Sequence, residues 1–223
     1  MKRTIKLLGF DCSTELSIDG HSRAGGAEYA GNVTRLLLEA LDAANDEGDR
    51  FGVDVDLYSF LVWEKFPKIH PGPFNYRLPG AEDIYQLIED ADGFLFATPV
   101  AWFNANVNAV NMMAYLIAFD HTPALTSKPF CAFSHFPEAG GKAAELYIVG
   151  AMNNMGCPLP RNGTSFQNPF AAAAGGGEDH RQLTEHRTAA RNVVRSIIES
   201  RTAKEHGFES DWGPREEDLV FLS

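Results

Sequence analysis

Residues 93–97, Gly-Phe-Leu-Phe-Ala, carry no charged or polar side chain, and apolar residues recur at helical spacing on either side of them. A strand without polar alternation hides both of its faces, so the chain must lay apolar cover above and below it. The flanks supply that cover. Ile84, Leu87, Ile88 and Ala91 mark a helix upstream, and Val107, Val110, Ala114 and Ile117 mark one downstream.

The same unit recurs along the chain. Residues 5–10 form a short apolar run into Asp11-Cys12-Ser13, which reads as a buried strand entering a loop. Val33, Leu36, Leu37, Ala40, Leu41 and Ala44 share one helical face, with Asn32 or Thr34 available to cap its start. Val53, Val55 and Leu57 alternate with Asp54, Asp56 and Tyr58, the pattern of a strand near a sheet edge. Residues 129–133 read as a fourth strand, and Ala144, Ile148, Ala151, Met152 and Met155 as a helix stopped by Gly156. A fifth strand is predicted at 157–160, although Pro158 and Pro160 lack ladder donors. Val193, Val194, Ile197 and Ile198 place a closing helix at about 179–204.

Alternating strands and helices imply a five-stranded parallel sheet in the order 2-1-3-4-5, covered on both sides as a three-layer α/β/α sandwich. One domain is expected over residues 1–206, followed by a tail at 207–223. Two insertions are predicted. One, at about 61–80, is rich in proline and aromatics; the other, at about 164–178, is of low complexity. Trp63, Phe66, Phe74 and Tyr76 in the first are costly to leave wet, so it is expected to wall a substrate site or form a subunit contact.

Charge and cysteine usage narrow the setting. A net charge of -11 disfavours nucleic acid and anionic membranes as partners. Cys12, Cys131 and Cys157 are odd in number and far apart, which fits a reducing compartment, hence the cytoplasm. The basic start Met1-Lys2-Arg3 precedes an apolar run too short for export or for spanning a bilayer.

In that strand order a ligand crevice opens at the carboxyl ends of the first and third strands. Three loops reach it. The first carries Ser13, Ser22 and Arg23, then Asn32, Val33 and Thr34 at a helix start, where free N–H groups and hydroxyls suit a phosphate. The same residues also fit a plain helix cap behind an ordinary loop. The second loop, Thr98-Pro99-Val100-Ala101-Trp102-Phe103-Asn104-Ala105-Asn106, offers flat apolar surface for a ring system, with backbone amides and Asn side chains for its polar edge, or a simple cover for the sheet end. The third holds Ser134, His135, Phe136, Gly140 and Gly141, which suit either a ligand edge or a glycine-rich turn.

The run Ala91-Asp92-Gly93-Phe94-Leu95-Phe96-Ala97-Thr98-Pro99-Val100 resembles a signature of NAD(P)H-dependent FMN reductases and related flavodoxin-like NAD(P)H:quinone oxidoreductases. Lys128-Pro129-Phe130-Cys131-Ala132-Phe133, followed by Gly140-Gly141, is similar to that family's fourth strand and flavin loop. The resemblance covers about residues 4–163 and implies a flavodoxin-like fold. It further implies FMN as cofactor, NAD(P)H as reductant, and a small acceptor such as a quinone or flavin. On this resemblance Ser13 or Ser22, with Arg23, Asn32, Val33 and Thr34, holds the phosphate. Thr98, Pro99, Val100, Ala101, Trp102, Phe103 and Asn104 line the ring, and Ser134, His135, Phe136, Gly140 and Gly141 close its other edge. A homodimer or homotetramer is expected as well.

Two departures stand out. An insertion separates Ser13 from Asn32, and residues 108–111 hold asparagines where the family usually has a lysine. Residues 63–77 contain no cysteine, so an iron–sulfur cluster is not expected. A tyrosine-phosphatase reading of Cys12 lacks its arginine, since position 18 is Ile18, and a receiver reading of Asp11 lacks an aspartate at the end of the third strand. His135 is the candidate proton donor at the flavin edge. The other histidines show no metal-ligand spacing, and His186 and His206 are assigned to solvated surface. Two alternatives to an oxidoreductase remain: a flavodoxin-like electron carrier, and a flavin-free interaction module of the same fold.

Overall fold

Three strands of this chain have apolar side chains on both faces, and they occupy the centre of the sheet. The structure, a computed structural model, describes residues 4–13, 32–72, 76–101, 103–120, 122–135, 140–165 and 182–205. Its strands are β1 (Ile5–Asp11), β2 (Val55–Leu61), β3 (Gly93–Ala101), β4 (Asn104–Ala105), β5 (Phe130–His135) and β6 (Thr164–Ser165). The helices are α1 (Asn32–Arg50), α2 (Val62–Lys65), α3 (Glu82–Asp90), α4 (Val107–Leu116), α5 (Gly141–Asn154) and α6 (Gln182–Glu205).

The order is β2-β1-β3-β5-β6, all parallel, with β4 folded back antiparallel on β3. Without that hairpin this is the predicted five-strand order, and the fold is flavodoxin-like. The two-residue period of the central strands sorts the core into two layers. Leu8, Phe10, Phe94, Phe96, Phe130 and Ala132 face α3, α4 and α5. Ile5, Leu7, Leu95, Ala97, Cys131 and Phe133 face α1 and α6. β2 lies at the edge, with Asp56, Tyr58 and Ser59 exposed.

Helix α1 buries the predicted stripe Val33, Leu36, Leu37, Ala40, Leu41 and Ala44 beside Ala189, Ala190, Val193, Val194 and Ile197 of α6. The fit is close at Gly93, where an added Cβ would lie 2.9 Å from Val193 Cγ1 and 3.0 Å from the Pro129 carbonyl. Ions edge the same contact. Glu47, almost fully buried, accepts from Arg195 Nε at 2.5 Å and from Arg50 at 3.1 Å. Such a carboxylate is tolerable inside only because both oxygens are paired.

Several details depart from the sequence reading. The fifth strand is β6 at Thr164–Ser165, not residues 157–160. Phe130 N donates to the Pro158 carbonyl, but Pro158 and Pro160 have no N–H to return, so a ladder forms only after them. Thr164 and Ser165 therefore belong to the sheet and not to an insertion. Helix α4 turns the first half of its predicted stripe outward: Val107 and Val110 are exposed and Ala114 and Ile117 half-buried, while Ala109, Met112, Met113, Tyr115 and Leu116 are buried. It is apolar nearly all round, so spacing alone could not choose the face.

His186 is another correction. It is completely buried, 3.1 Å from Glu39 through Nε2 and beside the Phe133 ring, and does not lie on solvated surface. Among the aromatics of residues 61–80, Phe66 and Tyr76 pack on the core. Phe66 is buried with its ring 4.6 Å from that of Tyr115, and His70 and Tyr76 pack on the same cluster. Asn111 accepts from His70 N at 2.8 Å and donates to the Lys68 carbonyl, so the asparagine run on α4 satisfies this loop's backbone. Phe74 lies outside the described residues, as do His206 and the predicted tail. Among the described residues no helix is long and apolar enough to cross a membrane.

The rings of Phe10 and Phe96 stack at 4.5 Å with an interplanar angle of 7° in the centre of one layer. Phe10→Ala should cost about 3–5 kcal/mol through lost burial and the cavity left behind. The measurement is urea unfolding, where the midpoint should fall with its slope unchanged.

Candidate functional site

The carboxyl ends of β1, β3 and β5 stand side by side, Asp11 opposite Ala97 and Pro99 opposite His135, so the loops leaving them are forced together. Past the end of the β1–β3 ladder, side chains take over from the backbone. Asn106 caps α4 by accepting from Ala109 N at 3.0 Å, and its Nδ2 donates to the Cys12 carbonyl at 2.5 Å. Asn108 Nδ2 donates to the Ser13 carbonyl at 2.7 Å. Thr98, fully buried, has its hydroxyl 3.0 Å from the Pro99 carbonyl and 3.4 Å from Asn106 Oδ1. The second loop thus clamps the first.

Thr34 stands in the first turn of α1. Its hydroxyl donates to Asp11 Oδ2 at 2.5 Å, while Ser13 N donates to Asp11 Oδ1 at 2.9 Å. The first-turn N–H groups of α1 lack intrahelical partners and point toward this end of the sheet. Of the other residues expected at a phosphate, Asn32 opens the helix and Val33 is buried in the core. Ser22 and Arg23 lie outside the described residues.

The ring-lining loop is a β3–β4 hairpin, in which Val100 pairs with Ala105 and Ala101 with Asn104. Phe103 sits near its tip at φ 63 with 64% of its surface exposed, a left-handed conformation that costs a side-chain-bearing residue about 1–3 kcal/mol. Gly140 meets it from the third loop. A Cβ there would lie 2.5 Å from Phe103 Cα and 3.0 Å from Val100 Cγ1, and its φ of 93 favours glycine independently. Ala101 and Asn104 are exposed, and Asn104 Oδ1 accepts from Ala105 N. Gly141 is buried as α5 begins. Trp102 and Phe136 lie outside the described residues.

Ser134 presents both its N–H and its hydroxyl to Glu145 Oε1, each at 2.9 Å, and both residues are fully buried. Glu145 thereby fixes the end of β5 where the third loop departs. His135, half-buried next in line, has its pKa pushed below the usual 6.5 by burial and then by the Arg35 charge, so it is neutral at pH 7. Cys12 is buried with its thiol pKa raised well above normal by burial and by the Asp11 charge, which leaves no thiolate for a phosphatase step.

Asn108 and Glu145 were not singled out as site residues from the sequence; Asp11 was weighed only as a receiver aspartate, and Asn106 only as the end of the second loop. Glu145 had a signal, a lone charge on the apolar stripe of Ala144 and Ile148. Asp11 also had one, an acid ending an apolar strand. A shallow surface depression along α3 belongs to none of the three loops; Arg77 crosses it, stacked on the Tyr85 and Phe119 rings.

A sequence model of the family described as NADPH-dependent FMN reductase matches residues 16–200. The chain belongs to this family. As a member of the FMN reductase family it is an oxidoreductase enzyme that uses a flavin. Among solved structures, an oxidoreductase from Corynebacterium diphtheriae is 15% identical with a TM-score of 0.63, covering 89% of this chain and 98% of that one. An NADH:FMN oxidoreductase is 17% identical with a TM-score of 0.56, over 86% and 89% of the two chains. RosB, solved with 8-demethyl-8-formylriboflavin-5'-phosphate bound, is 12% identical with a TM-score of 0.58, over 93% and 88%. At these identities the three show the fold alone. No curated protein sequence matches the chain.

Two outcomes follow for this end of the sheet. Asn106→Ala removes a cap and a buried clamp, and should destabilise by about 1–3 kcal/mol in chemical unfolding. The depressed pKa of His135 means that the unfolded chain binds more protons below pH 6.5, so stability falls as pH drops through that range. Histidine NMR titration should give His135 a midpoint below 6.5, and Arg35→Gln should raise it only part of the way, because burial is the larger cause.

Proposed function

We propose that the chain binds FMN across the carboxyl ends of β1, β3 and β5, accepts reducing equivalents from NADPH or NADH, and passes them to a small acceptor such as a quinone or a flavin. The observation that carries this reading is the meeting of Gly140 with the Phe103 hairpin beyond the carboxyl ends of β3 and β5, in a chain of this family. The residues fit a flavin. The first-turn N–H groups of α1, which have no intrahelical acceptor, suit the phosphate, Val100 and Phe103 offer apolar surface to the ring, and the chain at Gly140 approaches closely enough to shut its far edge.

Bound FMN, held by the start of α1, Val100, Phe103 and Gly140, would supply the two-electron redox chemistry that the side chains lack. The protein's part is positional. Asn106 and Asn108 hold the first loop against the second, and Glu145 through Ser134 holds the third. His135, which follows Ser134 at the end of β5, is the proposed proton donor toward a reduced acceptor; its lowered pKa makes the imidazolium the minor form at pH 7, so donation from it should strengthen as pH falls. Cys12, Cys131 and Cys157 are all free and buried, with burial pushing Cys157 up to about 12, and a cytoplasmic location is part of the proposal.

The test is a visible spectrum of the purified protein, followed by anaerobic titration with NADH and NADPH and turnover with a quinone. A flavin spectrum bleached by reduced nicotinamide and restored by the quinone is expected. A flavin reduced only by a protein donor would make the chain an electron carrier, and no FMN uptake would leave the interaction module. Phe103→Ala should weaken FMN binding about threefold to tenfold, read by flavin fluorescence.

A further inference from the structure

The end of the site expected to receive a phosphate already contains an anion. Asp11 is 3% exposed, and its two oxygens accept from Ser13 N and from the Thr34 hydroxyl, beside the first turn of α1. That turn is where a helix best receives negative charge, and Asp11 brings a fixed one to it. A hydroxyl has a single hydrogen, and that of Thr34 is directed at Asp11 at 2.5 Å. The Thr34 hydroxyl therefore has no hydrogen left for a phosphate oxygen, and Asp11 repels a second anion arriving at the same turn.

Resting on the flavin reading above, we infer that Asp11 is a specificity-determining residue: by occupying the Thr34 hydroxyl and charging the phosphate end, it lets the site take unphosphorylated flavin in competition with FMN. The ligand class is widened to riboflavin-type flavins, with ring contacts providing most of the affinity. Substituting Asp11→Asn reverses both effects at nearly constant volume. The amide oxygen keeps the bond from Ser13 N, the amide nitrogen donates to Thr34 Oγ1, and the hydroxyl hydrogen is turned outward to a phosphate.

The experiment measures dissociation constants for FMN and riboflavin on the flavin-stripped full-length protein, its fold checked by circular dichroism. In Asp11→Asn the ratio of riboflavin to FMN dissociation constants should rise about tenfold or more, the worth of one hydrogen bond to a charged group. The double variant Asp11→Asn/Thr34→Val should lose that gain. Thr34→Val alone should leave the wild-type ratio within about twofold, because the hydroxyl gives the phosphate nothing.

An unchanged or lower ratio in a folded Asp11→Asn overturns the inference. So does a fall of about tenfold in Thr34→Val alone, since one hydrogen bond to a charged phosphate would then come from that hydroxyl; this arm remains decisive if Asp11→Asn does not fold. Failure of the wild type to bind either flavin would instead defeat the flavin reading itself.

Discussion

Burial of β1, β3 and β5 on both faces is the constraint on which the rest of the molecule depends. Their even and odd side chains are alike apolar, so neither side of the sheet can meet water, and two helical layers are obligatory. With parallel strands, each crossover returns the chain to the same edge, and every strand's carboxyl end opens at one rim. The first, second and third loops meet there as a consequence of hiding apolar surface.

At that rim the sheet's own hydrogen bonds run out, and buried polar side chains replace them. Asp11, Thr98, Asn106, Ser134 and Glu145 are all at most 3% exposed, and each has a hydrogen-bond partner in a neighbouring segment. A single such bond contributes about 0.5–1.5 kcal/mol net, comparable with the cost of holding Phe103 left-handed. Only several together can hold a strained hairpin in place, and here they hold all three loops. Gly140 completes the arrangement by allowing main chain to approach main chain.

The second helical layer solves a different problem. α1 and α6 press small and branched residues together along their length, and the polar groups left at that contact are paired across it, Glu47 with Arg195 and Glu39 with His186. Behind the opposite layer, Asn111 and Tyr115 of α4 receive the backbone of the loop after α2, so a proline-rich segment with little ladder of its own is still ordered. Asparagines in place of the expected lysine thus serve the packing of two loops, through Asn108 and Asn111.

Element order, sheet order, the α1 stripe and the three loops at the crevice were legible in the sequence, because hydrophobic period is a local property that each segment carries by itself. The face of α4, the position of β6 and the burial of His186 were not, since each depends on what a neighbouring segment presents. An all-round apolar helix has no preferred side, and a strand cannot pair where prolines lack donors. The likeness to FMN reductases at residues 91–100 was also readable, but the role of Thr34 was not. Its sequence position suits a helix cap or a phosphate donor equally well. Only folding brings Asp11, 23 residues away, within hydrogen-bond reach, and a hydroxyl with one hydrogen then has its direction chosen by the nearest charge.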